Sequence, residues 1–76
     1  MAINEQKAQT QLGKVIREKR KELGYSQESF ADACDIHRTY MGSVERGERN
    51  ISLKNILIIA AALNMKSSTL LELSKL

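Results

Sequence analysis

Seventy-six residues suffice for one domain and little more, near the lower limit at which a hydrophobic core holds unaided. A composition of 42% hydrophobic and 28% charged residues excludes a disordered chain, and a single cysteine excludes an internal disulfide. A net charge of +3 is mildly basic and does not by itself name a nucleic-acid partner.

No apolar run approaches the ~20 residues needed to span a bilayer. The opening stretch, Met1 to Thr10, has no basic start followed by an apolar segment, so no signal peptide is expected and a cytoplasmic protein is. No proline interrupts the chain, and no strand alternation or internal repeat is visible. The expectation is an all-α, compact five-helix domain over residues 1–76.

Residues 1–6 read as frayed. A first helix is expected from about Lys7 to Leu23, with Ala8, Leu12, Val15, Ile16 and Leu23 on one stripe. Gly13 interrupts it at a cost of about 1 kcal/mol relative to alanine. Gly24 is the expected stop. Arg17, Lys19, Arg20 and Lys21 cluster late in this helix, as solvated surface charge or as phosphate contacts.

The centre of the chain is Gln27 to Gly47, two short helices around a tight bend. Ser26 is a good N-cap, and Tyr25 with Phe30 can form a hydrophobic staple across it. Phe30, Ala31 and Cys34 recur at helical spacing. The pattern breaks at Asp35-Ile36 and restarts at His37, with Met41 and Val44 facing inward, until Gly47 ends it. His37, Arg38, Thr39, Tyr40 and Ser43 fall at the start or on the outer face of the second helix. They are hydrogen-bonding side chains on a rod that fits the DNA major groove. A helix-turn-helix over about 26–47 is the expectation, with the second helix as reader.

Glu48 to Ile51 form a polar loop, and Ser52 caps a fourth helix from Leu53 to Leu63, with Asn64 as its stop. A last helix runs from Ser68 or Thr69 towards Leu76. From Ile56 to Leu63 the fourth helix is apolar for more than two turns, where a surface helix needs one stripe. If Leu53, Ile56, Ala60 and Leu63 face inward, Ile58 and Ala62 lie elsewhere, and Leu70, Leu71 and Leu73 add further apolar surface. One reading buries this helix in the middle of the bundle. The other makes an isologous homodimer through residues of about 52–76, namely Ile58, Ala62, Leu70, Leu71 and Leu73.

Residues 12–73 resemble the lambda-repressor-like, or Xre, family of helix-turn-helix domains. The carrying features are Gly24-Tyr25-Ser26-Gln27-Glu28-Ser29-Phe30-Ala31, Ile36 at the bend, and Val44-Glu45-Arg46-Gly47. The His37-Arg38-Thr39-Tyr40-Met41 run and the Arg49-Asn50-Ile51-Ser52 loop are similar to restriction–modification controller proteins. Asp35 stands where the family usually has glycine in the turn, and aspartate tolerates the left-handed region better than most residues.

The resemblance implies base-reading roles for Arg38, Thr39 and Ser43. It implies DNA-backbone contacts for Gln27, Tyr40, Arg46, Arg49 and Asn50, while His37 reads as a first-turn cap or a phosphate neighbour. It also implies an ion pair between Arg20 and Glu45 that pins helix one to the reader. Cys34 reads as a small core residue. No catalytic group, metal site or cofactor is expected.

The partners implied are double-stranded DNA, a second copy of the chain, paired dimers on DNA, and RNA polymerase, in the bacterial nucleoid. An antitoxin or a phage-type repressor would share these features. A helical protein-interaction adaptor would share only the apolar face.

Overall fold

The computed structural model describes residues 3–76. Five helices follow one another: α1 (Glu5–Glu22), α2 (Gln27–Cys34), α3 (Arg38–Glu45), α4 (Leu53–Ala62) and α5 (Ser67–Leu73). Residues 1 and 2 of the stretch expected to fray lie outside the described ones. Glu5 and Gln6 are helical instead, because Asn4 caps α1 by accepting the Lys7 amide at 2.9 Å.

The local signals act where the sequence places them. Ser26 accepts the Ser29 amide, and the Ser29 hydroxyl accepts in return from the Ser26 amide, closing a capping box on α2. Tyr25 and Phe30 meet across that cap with ring centroids 5.3 Å apart. Asp35 takes the left-handed conformation, φ 53°, and the Ile36 amide then reaches back to Ala31 O, so the chain turns sharply into α3. Ser52 caps α4, and Asn64, φ 59°, turns the chain out of it. The axes of α4 and α5 differ by 91°, and among the described residues no single helix is long and apolar enough to cross a membrane.

The core joins all five helices. Ile16, Phe30, Met41, Val44, Ile59 and Leu70 are almost wholly inaccessible, with Leu12, Ala31, Cys34, Ala60 and Leu63 around them. Burial pushes the Cys34 thiol up to about 11, so it stays protonated at neutral pH and packs as a small apolar group.

Three assignments differ from expectation. Leu23 closes α1 as its C-cap and is exposed, since the chain leaves the helix there. Leu53, in the first turn of α4, is 71% exposed, and the buried stripe is Ile59, Ala60 and Leu63, with Ile56 partly buried against it. Leu70 is not an interface residue: it is fully buried beneath α5, with Ser74 one turn on. The sharp bend between α4 and α5 selects that face. Ser74 satisfies its hydroxyl by donating to Leu70 O at 2.8 Å, and its carbonyl accepts from Gln11 Nε2.

Gly13 has a tertiary purpose. A Cβ at that position would run into the carbonyl of Val44 and lie 2.8 Å from that of Glu45, so α1 and the end of α3 approach backbone to backbone. Gly13→Ala, which would stabilise an exposed helix by about 1 kcal/mol, should instead lower stability by about 1–3 kcal/mol. Urea unfolding measures it, and a higher midpoint for the variant would disprove the close approach.

Candidate nucleic-acid interface

Helix α3 is pinned to α1 at its C-terminal end. Arg20, in the last turn of α1, donates from Nε and a terminal nitrogen to the two carboxylate oxygens of Glu45, at 2.8 and 2.9 Å. The side chains are 8% and 3% exposed. The remaining terminal nitrogen of Arg20 donates to Tyr25 O at 3.0 Å, and Gln27 Nε2 reaches Glu45 at 3.3 Å. One guanidinium therefore joins α1, the turn before α2, and the last residue of α3. Arg20 is fully engaged and does not add to the basic surface of α1, where Arg17 and Lys21 remain exposed.

The first turn of α3 projects from this frame. His37 occupies the N-cap position without making a side-chain cap bond, so the opening amides are left uncapped. His37, Arg38 and Thr39 are all exposed. Uncapped amides at a helix N-terminus carry partial positive charge. Arg38 makes an ion pair with Glu28 of α2 at 3.3 Å, both ends about two-thirds exposed. A pair of that kind is worth little and is easily exchanged.

Behind the first turn, α3 is wrapped. Ser43 is not on the outer face: it is 5% exposed, donates to Tyr40 O at 2.7 Å and accepts from Arg49 Nε at 3.0 Å. A role in touching bases is overturned, because the loop after α3 folds Arg49 back over it. Tyr40 is half-buried, packs against the core, and its hydroxyl accepts from Asn55 Nδ2 of α4 at 3.2 Å. The Arg49 guanidinium carbon lies 5.6 Å from the Tyr40 ring centroid.

The loop itself turns on Gly47, φ 76°, whose missing side chain lets it sit against Thr10 of α1. Arg46 donates bidentately to Glu48 at 3.0 and 3.2 Å, and these bonds hold the Glu48 carboxyl below its ordinary range. Arg46, Glu48, Arg49 and Asn50 are exposed. Gln27, at the first position of α2, is half-buried beside Gly42. The arrangement is a rigid stage with one short, cationic, donor-rich helix end at its front. Sequence reasoning assigned no contact to Asn55 or to Glu28; neither carries a signal for one at the level of spacing.

The apolar surplus also has a place. Leu53, Leu57 and Ala61, four residues apart along α4, are exposed, Leu57 by 50%, and Leu73 and Leu76 are exposed at the end of the chain. Ile58, Ala62 and Leu71 are half-buried and already pack in part on the core.

Known proteins share this organisation. Over 60 residues the chain is 45% identical to the control protein C.SmaI of Serratia marcescens, covering 79% of this chain and 71% of that one. The crystal structure of the restriction–modification controller protein C.AhdI of Aeromonas hydrophila superimposes with a TM-score of 0.78 at 44% identity, covering 82% of this chain and 94% of that one. The biofilm regulator SinR, crystallised in complex with DNA, superimposes with a TM-score of 0.75 at 33% identity, covering 79% and 97%. The helix-turn-helix family profile matches residues 16–71. With that match spanning most of the chain, and with relatives of this identity, the protein belongs to the Xre-like helix-turn-helix family.

Proposed function

We propose that this chain is a sequence-specific DNA-binding transcription regulator, the controller of a restriction–modification system, acting as a single-domain homodimer on a pseudo-palindromic operator in the bacterial nucleoid. The observation that carries this reading is the uncapped, exposed first turn of α3, presenting Arg38 and Thr39 on a helix pinned by a buried ion pair. Arginine suits guanine O6 and N7 bidentately, and threonine offers a methyl or hydroxyl to a base edge. Gln27, His37, Tyr40, Arg46, Arg49 and Asn50 surround that turn as candidate backbone contacts. Resemblance to control proteins of restriction–modification systems supports the narrower assignment. Paired dimers on adjacent sites and a contact with RNA polymerase extend the same proposal.

The test is selection of duplexes from a randomised pool, followed by footprinting on the winner. Two symmetric half-sites with centres about 34 Å apart, or a multiple of that, are expected. Equal affinity for random and selected duplex at moderate salt would refute the reading.

The second copy is argued from exposed leucines. Leu53 and Leu57 lie on one side of α4, beside half-buried Ile58 and Ala62, with Leu71 and Leu73 on α5 completing the candidate interface. In an isologous contact Leu57→Asp removes two buried leucines, each worth about 1.5–3 kcal/mol. Dimer affinity should fall by roughly a hundredfold or more, with the monomer still folded because Leu57 is outside the core. Sedimentation reads it directly; an unchanged dimer would move the interface elsewhere.

A further inference from the structure

Ser43 and Arg49 form a unit behind the projecting turn of α3. The Ser43 hydroxyl is buried, and both of its bonds are internal: it donates to Tyr40 O and accepts from Arg49 Nε at 3.0 Å. The Tyr40 ring lies beneath the guanidinium, at 5.6 Å from its carbon to the ring centroid, and is itself held through its hydroxyl by Asn55 of α4. Arg49 is thus fixed by an edge bond and a face contact.

The bond uses only Nε. Among the described residues the two terminal nitrogens of Arg49 have no hydrogen-bond partner, and Arg49 itself is exposed. The other arginines of this face are different. Arg38 is engaged by Glu28, and Arg46 by Glu48. Arg49 is the one that is restrained and makes no ion pair with a carboxylate, although the Glu48 carboxyl, bonded to Arg46, lies near enough to feel its charge. Its terminal nitrogens form the fork that grips phosphate oxygens. Fixing a long side chain in advance removes the rotamer entropy that binding would otherwise cost.

We propose that Ser43 is a positioning residue for DNA binding. It touches no DNA and acts by holding Arg49 against Tyr40, so that the guanidinium meets a backbone phosphate already oriented. This rests on the reading of the α3 face as the DNA-binding surface.

The experiment is a double-mutant cycle on the full chain, with the duplex that the wild type selects from a randomised pool as probe, at several salt concentrations. Arg49→Ala should weaken binding and lower the salt slope by about one for each phosphate it no longer neutralises. Ser43→Ala should weaken binding about 3- to 10-fold per site, the scale of one freed side chain, while keeping the wild-type salt slope, because the charge is still present. In the Arg49→Ala background Ser43→Ala should have no further effect. Arg49→Lys keeps the charge but loses both the Nε bond and the fork, and should bind at least as weakly as Ser43→Ala with the wild-type salt slope.

Wild-type affinity for Ser43→Ala or Arg49→Lys, or an equal loss from Ser43→Ala in both backgrounds, would overturn the proposal. If Arg49→Ala binds as the wild type does, the backbone role of Arg49 falls and the proposal with it. If Arg49→Ala is weak and Ser43→Ala is not, only the role of Ser43 falls.

Discussion

Glu45→Ala should lower the unfolding free energy by about 3–5 kcal/mol, the range found when one partner of a buried ion pair is removed. In a chain of this size that corresponds to roughly 12–40 °C in Tm, at about 4–8 °C per kcal/mol. The reason is the uncompensated guanidinium. Arg20 is desolvated in the fold, and without Glu45 only the Tyr25 carbonyl remains to it, at 3.0 Å. A surface pair of the same residue types would cost under about 1 kcal/mol, so the two descriptions differ by a factor that urea unfolding resolves easily. Replacing both residues, Arg20→Met with Glu45→Met, removes the stranded charge and should recover much of the loss. A single-variant loss below about 1 kcal/mol would place the pair among ordinary surface contacts.

The pair has a second consequence. Glu45 is the last residue of α3, and Gly13 brings the α1 backbone against the same end of that helix. Helix α3 is clamped at its C-terminal end and uncapped at its N-terminal end, the geometry that the proposed groove-reading role requires. Glu45→Gln keeps the shape of the clamp and loses its charge, and so should fall between wild type and Glu45→Ala in both stability and DNA affinity.

What the sequence discloses here is local. Ser26, Asp35, Gly47 and Ser52 each control one backbone turn through their own chemistry, and such chemistry is visible without knowing what lies opposite. The apolar stripes of α1, α2 and α3 are equally visible, because each is set by one period. What stays hidden is whatever depends on a distant segment. Gly13 reads as a weakness in a helix until α3 is laid against it. Ser43 reads as an outward polar residue until the loop returns Arg49 over it. In α5 the leucines at 70, 71, 73 and 76 are chemically alike, so spacing alone does not choose the buried one; the 91° bend after α4 does. Arg20 and Glu45 are legible as a pair only through family resemblance, since nothing in the spacing of residues 25 apart brings them together.

Arg38→Ala should remove more binding specificity than any other single change on the α3 face. A good bidentate contact to guanine carries about 1–3 kcal/mol of discrimination, and a two-fold complex holds two copies, so the selected site should lose about 2–6 kcal/mol against random duplex. Little offsets this from inside the protein, because the Glu28 pair that Arg38 leaves on binding is exposed at both ends. Arg46→Ala makes the informative comparison. It should weaken selected and random duplex alike, since a phosphate contact carries no sequence information. Its effect should be further blunted, because Arg46 is already bidentate with Glu48 in the free chain. The quantity to measure is therefore the ratio of affinities, by competition at fixed salt, and not affinity alone. A ratio that collapses for Arg38→Ala and survives for Arg46→Ala assigns reading to the first turn of α3. A ratio that survives both would mean that sequence is sensed through the bending or groove width of the duplex, and the projecting turn would then be an anchor.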